Sequence, residues 1–215
     1  MSGNANLISI IITTYGGDHW REIASQRALP SAQEQNAYEI IVHHEQDLPI
    51  GPARNRAAQR ASGEWLLFLD ADDELGDDYV RAMTDAICSM ERPEPAILQP
   101  AVCYYRKGRP GPTYLIPEKD LSTDNYLVVG TVLRRKLFTE VGGFNDYPHG
   151  FEDWSLWAKC WRAGAKVFPV PQAVYKAHIN PQSAHRKMWR DRKWQVETHM
   201  RIQAELFPET INASP

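Results

Sequence analysis

Trp65-Leu66-Leu67-Phe68-Leu69-Asp70-Ala71-Asp72-Asp73 is an unbroken apolar run that ends abruptly in carboxylates. Large apolar side chains without alternation mark a strand buried on both faces, the pattern of a parallel sheet covered by helices. Upstream, Leu7-Ile8-Ser9-Ile10-Ile11-Ile12-Thr13 runs into the glycine loop Thr14-Tyr15-Gly16-Gly17, and Glu39-Ile40-Ile41-Val42 is a second buried strand. Asp18 is placed to cap the helix after the first strand. Gly51 to Ala61 sets Ala57, Ala58 and Ala61 on one helical face, small enough for close packing on a sheet, and Ser62-Gly63 ends that helix. The alternation predicts an α/β domain with a mostly parallel central sheet and helices on both faces, whose ligands sit beyond the carboxyl ends of the strands. The three sharp loops all fall at that edge.

Further along, Ala96 to Tyr105 and Thr113 to Ile116 read as strands around the turn-rich Lys107-Gly108-Arg109-Pro110-Gly111-Pro112. Val128 to Arg134 reads as another strand and Lys136 to Val141 as a short helix. Gly142-Gly143-Phe144 is then a tight loop before a helix over Glu152 to Ala163. Trp154, Trp157 and Trp161 form a stripe on that helix, which is read as core rather than a sugar platform. Ser183 to Leu206 is expected to be a helix rich in Arg, Lys and Trp. The expected division is a catalytic domain over 1–182 and a helical extension over 183–215, packed on the domain or on a second subunit in a homodimer.

Bulk properties narrow the function classes. A chain of 215 residues can bury one substantial core. The formal net charge of −3 and the lack of a dense basic stripe before the last helix argue against nucleic acid as a partner. Cys88, Cys103 and Cys160 are odd in number and lack metal-ligand spacing, so neither a disulfide framework nor a zinc site is indicated. The apolar runs are too short to span a bilayer and the first residues do not read as a signal peptide. The expectation is a soluble, cytoplasmic protein without a transmembrane segment.

The acidic turn Asp70-Ala71-Asp72-Asp73 concentrates like charge that a cation should relieve. A hard divalent ion such as Mn²⁺ or Mg²⁺, shared between one or two carboxylates and a diphosphate, is the physical solution, against the plainer reading of a solvated turn. Haloacid-dehalogenase chemistry would want Thr or Ser where Glu74 stands, and no P-loop is present. Glu152-Asp153 is a second acidic pair at a helix start, where the macrodipole favours carboxylates. The alternative is catalytic: a carboxylate can take the proton of an attacking hydroxyl.

Together these motifs resemble the family 2 glycosyltransferases, which have the GT-A fold, over roughly residues 7 to 183. The quoted residues are Ile11 to Tyr15, Gly51-Pro52-Ala53-Arg54-Asn55, Phe68 to Asp73, Gly130 with Arg134-Arg135, Val141 to Phe144, Glu152 to Trp157, and Tyr175 to His178 with Ser183. The resemblance implies an inverting, metal-dependent transfer of a sugar from a nucleoside-diphosphate donor, a UDP-sugar being expected, to an acceptor hydroxyl. That acceptor could be a glycan, a lipid-linked intermediate, a protein or a small molecule. It implies Asp153 as general base, with Glu152 its neighbour or substitute, and Asp72 as metal ligand with His178 as a second. Asp70 would face the donor's ribose or hydration shell, Arg54 the nucleotide or diphosphate, and Thr14 and Tyr15 the nucleotide. Where the family usually carries Val-Asp-Asp-Gly-Ser, this chain has Val42-His43-His44-Glu45-Gln46-Asp47, so Glu45 or His44 would read the base. The Q-x-x-R-W signature of processive synthases is missing, which favours transfer of one sugar per encounter. The alternatives are a catalytically silent sugar-nucleotide or glycan-binding protein of the same fold, and a nucleotidyltransferase.

Overall fold

A computed structural model describes residues 7–90, 95–147, 150–180 and 192–208. Three strands, β1 (Ile8–Tyr15), β2 (Glu39–Glu45) and β3 (Trp65–Asp70), form where the apolar runs predict them. β1 pairs in parallel with both of the others, and Thr13 lies opposite His43 on one side and Asp70 on the other. That register brings Tyr15, Glu45 and Asp70 to one sheet edge. Isoleucines 8, 10, 11 and 12 and residues 65–69 are all buried, as strands covered on both faces require.

The short β4 (Glu74–Leu75), the long β5 (Ala96–Arg106), β6 (Arg109–Tyr114), β7 (Val132–Arg134) and β8 (Lys166–His178) complete the sheet. The order is β2-β1-β3-β7-β5-β8-β4, with β6 paired to β5. The sheet is therefore mixed, which corrects the expectation of a mostly parallel one. β7 runs antiparallel to both β3 and β5, while β4 and β6 are antiparallel to β8 and β5. The reason is chain return: a three-residue strand entered from a long loop takes the gap between β3 and β5 in whichever direction the loop presents it. β5 and β8 nevertheless share the direction of β1, β2 and β3. β8 is an element that the sequence reading did not draw as a strand.

The helices are α1 (His19–Gln26), α2 (Ala28–Gln33), α3 (Ile50–Ala58), α4 (Tyr79–Ser89), α5 (Arg135–Glu140), α6 (Glu152–Arg162) and α7 (Arg192–Leu206). Asp18 stands at the start of α1 without a side-chain cap bond; its carboxylate accepts from Arg21 at 3.3 Å. Ala53 and Ala57 on α3 are fully buried against the sheet, as the small-residue face anticipates. Trp154 and Trp157 on α6 are core, whereas Trp161 is 45% exposed at the edge of that stripe, beside Phe207. Helix α7 lies against the domain: Ile202 and Phe207 are buried, Tyr147 donates its hydroxyl to Glu205 at 2.8 Å, and His199 packs on Trp154. Residues 183–191 of the anticipated C-terminal helix lie outside the described residues.

Candidate active site

The site is built at the edge where β1 and β3 end. Arg54, on α3, is 5% exposed and spans the two acidic clusters. Its Nη2 donates to Asp70 Oδ1 at 2.5 Å and its Nη1 to Glu152 Oε1 at 2.6 Å, while the guanidinium rests over the Phe144 ring, 5.2 Å from its centroid. A guanidinium fork suits this double duty because its donors are fixed in one plane. Both terminal nitrogens bond to carboxylates, which ties the two acidic clusters together. Asn55, the next residue, clips the Gly142-Gly143-Phe144 loop, donating from Nδ2 to the Phe144 carbonyl at 2.8 Å and accepting the Phe144 N–H at 2.9 Å. Gly143 has φ +65° and an added Cβ would collide with Asn55 Oδ1, so glycine is required there. Two sequence motifs separated by some ninety residues thus turn out to be one structural unit that holds Phe144 under Arg54.

The acid pair begins α6 in an unusual way. Phe151, immediately before it, has φ +68° and ψ +5°, a left-handed conformation that costs a non-glycine residue about 1–3 kcal/mol. The ring is clamped between Trp154, edge-on at 5.8 Å, and Trp194 of α7, stacked at 5.9 Å. This sharp entry sends Glu152 to Arg54 and leaves Asp153 without an ion pair among the described residues. There Asp153 accepts neutral donors, its own helix's Trp154 N–H at 2.7 Å and Asn125 Nδ2 at 3.1 Å. Burial, reinforced by the Glu152 charge, pushes its carboxyl up to about 7.

At the end of β3 the carboxylates diverge. Asp73 turns inward, accepting the Tyr175 hydroxyl at 2.8 Å and the His178 N–H at 2.7 Å, both from β8. Tyr175 in turn lies on Gly130, where an added Cβ would collide with the ring, so the glycine of the Val128–Thr131 stretch is a packing requirement. Asp72 turns outward into a cavity of about 310 Å³ that it shares with Arg27, Tyr105, Lys107, His178 and Asn180. It accepts Asn180 Nδ2 at 3.2 Å, and burial together with the Asp70 charge raises its pKa above the ordinary carboxylate value. Tyr15 stands near the same charges: burial first, then Glu152, raises its hydroxyl.

These groups bear on a divalent ion in a definite way. Asp72 offers a carboxylate whose charge is poorly compensated, as a hard cation requires. Among the described residues no three His, Cys, Asp or Glu side chains gather into a metal cage. The arrangement fits an ion held by Asp72 and completed by donor oxygens, not an all-protein site. His178 lines the same cavity, but its Nε2 is hydrogen-bonded to Glu74 and its ring stacks on Tyr105 at 4.7 Å.

Of the nucleotide-side residues, Thr14 is buried with its hydroxyl 2.9 Å from His44 Nδ1. Glu45 is tied to His43 Nε2 at 2.9 Å and to Arg56 Nη1 at 3.1 Å, and those two bonds lower its pKa. Sequence reasoning missed Asp73, Asn125, Arg27 and Asn180. Asp73 carried a signal in its adjacency to the D-x-D; the others stand in no motif, and their roles exist only across the fold.

The geometry agrees with independent comparisons. A model of the glycosyl transferase family 2 matches residues 18–142, more than half of the chain, and the chain belongs to that family. A "PGL/p-HBAD biosynthesis glycosyltransferase" of Mycobacterium bovis, and one of Mycobacterium tuberculosis, are each 27% identical over 128 residues, 60% of this chain and 50% of theirs. The chain spans about half the length of those curated relatives. Among solved structures, S. aureus TarS superposes with a TM-score of 0.60 at 19% identity, covering 80% of this chain and 60% of that one. TarS in complex with UDP-GlcNAc superposes with a TM-score of 0.63 at 17% identity, covering 82% and 60%. The likeness to TarS shows the α/β fold with its mixed sheet. No helix among the described residues is long and apolar enough to cross a membrane.

Proposed function

We propose that this chain is a glycosyltransferase that moves a sugar from a nucleoside-diphosphate donor, UDP being the first to test, to an acceptor hydroxyl with inversion at the anomeric carbon. The observation that carries it is the division of the acid pair. Glu152 is neutralised by Arg54, while Asp153 keeps a lone carboxyl pushed up to about 7, suited to accept a proton near neutrality. In the reaction, Asp153 takes the acceptor's proton as its oxygen bonds to the anomeric carbon and the bond to the diphosphate oxygen breaks from the opposite face. Arg54 keeps Glu152 and Asp70 from competing for that proton. Asp72 would hold a divalent ion, which would neutralise charge on the departing diphosphate. Asn125 orients the base, and Phe151 fixes the angle at which it leaves the helix. The crystal complex of TarS with UDP-GlcNAc supports a uridine donor for this fold.

Thermal unfolding with UDP, GDP, dTDP or CDP, each with Mn²⁺, Mg²⁺ or EDTA, tests the reading. A ligand present at a hundred times its Kd should stabilise the native chain by about 2.7 kcal/mol. The expected result is a shift with UDP that requires metal and is lost in Asp72→Ala. A flat response to every diphosphate in every condition would remove the donor reading.

A further inference from the structure

Arg54, buried and ion-paired with Asp70 and Glu152, does not line the cavity that Asp72 faces. Two cationic side chains line the cavity beside Asp72, and neither has an ion-pair partner among the described residues. Arg27 sits at the junction of α1 and α2 with φ −131° and ψ −72°, and one terminal nitrogen donates to the Asp72 carbonyl at 2.8 Å. A guanidinium carries five N–H groups, so this single bond anchors Arg27 while leaving donors for a ligand. Lys107, at the tip of the β5–β6 hairpin, lines the same cavity. Its φ is +51° and that of Gly108 is +74°, the two-residue turn whose first position favours Asn, Asp or Gly. Lysine there is a poor choice for the turn and places an ammonium group on the cavity.

We propose that Arg27 and Lys107 hold the diphosphate of the donor against Asp72. The inference rests on the donor reading above and adds the residues that grip its phosphates. Two cations and a carboxylate on one cavity suit a diphosphate and a divalent ion together better than a single phosphate or a neutral sugar. Lys107 is assigned to the second phosphate, which UDP and pyrophosphate carry and UMP lacks.

Calorimetric titration of the full chain with UDP, UMP and inorganic pyrophosphate, all in Mg²⁺, tests the assignment. Pyrophosphate carries no base, so the result does not hang on uridine being the correct nucleoside. The variants are Lys107→Asn, which keeps a residue that tolerates the turn, and Arg27→Gln, which keeps a donor for the Asp72 carbonyl. Each should weaken UDP and pyrophosphate by about tenfold, the worth of one charge-assisted contact. Lys107→Asn should leave UMP binding within about twofold of wild type. Should Arg27→Gln fail to fold, Lys107→Asn at the exposed turn decides alone. Wild-type affinity of Lys107→Asn for UDP and pyrophosphate, or equal binding of UMP and UDP by the wild type, overturns this assignment and leaves the donor reading standing. A wild type that binds neither UDP nor any other nucleoside diphosphate overturns both.

Discussion

The acidic turn after β3 and the acidic pair that opens α6 are partitioned alike, yet their environments differ. In the first, Asp73 is committed to β8 and Asp70 to Arg54, while Asp72 has no ion pair among the described residues. In the second, Glu152 is committed to Arg54 and Asp153 has none among the described residues. Both carboxylates accept an amide and a backbone N–H, and each feels an arginine charge that lowers its pKa, Arg27 for Asp72 and Arg54 for Asp153. Asp72 faces a cavity lined by cations, whereas Asp153 sits beside Glu152, whose charge adds to burial in raising the carboxyl to about 7. Neighbours set the two carboxylates apart, the cavity cations in the first case and the adjoining Glu152 in the second, and the sequence of neither cluster displays that division.

Several changes would break or sharpen that contrast. The largest effect is expected from Asp153→Asn, which should lower turnover by about 10²- to 10⁴-fold while leaving nucleotide binding intact. Product formation under saturating donor, beside a binding titration, reads both quantities; unaltered turnover would remove Asp153 as the base. Next comes Arg54→Met, which strands carboxylates on both sides and should cost about 3–5 kcal/mol in chemical denaturation. Most of that loss belongs to the Glu152 arm, 10% exposed, because the Asp70 side chain is 36% exposed and screened. Adding Glu152→Gln to Arg54→Met should therefore recover stability, and adding Asp70→Asn should recover less.

A smaller loss, about 2–4 kcal/mol, is expected for Asp73→Ala, which leaves the Tyr175 hydroxyl and the His178 N–H without their acceptor. Asp72→Ala should cost far less in the same denaturation measurement, since it relieves like charge. Equal losses in the two variants would erase the distinction drawn between them. The most diagnostic effect is in pH. Asp153 must be ionised to act as a base, so kcat should rise with pH and reach half its plateau near the value of about 7. The sign for stability is opposite. The native carboxyl binds its proton more tightly than the unfolded one, whose pKa is about 3.9, so this group's contribution to stability declines as pH rises from about 4 to 7. Asp153→Asn should flatten that decline.

The donor half of the fold was legible because apolar strands without alternation carry their own signal. Ile8–Ile12 and Trp65–Leu69 are buried as read, and the loops after them gather at one edge. The second half was less legible. The three residues of β7 contain no information about direction, and the strand's antiparallel placement turns the sheet from parallel to mixed. Within the site, the carboxylates were visible as motifs, but their partners were not. Arg54 and Glu152 are 98 positions apart, and only the folded chain brings them together. Asn125 and Arg27 sit in stretches with no pattern at all, so only the folded chain relates them to Asp153 and Asp72.

The stack of Phe151 on Trp194 has a consequence for the order in which the molecule is assembled. All eight strands of the sheet lie before residue 179, whereas the outer half of the clamp on Phe151 comes from the last described helix. Synthesis delivers the chain from its N-terminus, so every strand of the sheet and every residue that lines the Asp72 cavity is made before Trp194. The brace on the backbone twist ahead of Asp153 is the last of these parts to be supplied, by a helix that contributes no carboxylate to the site.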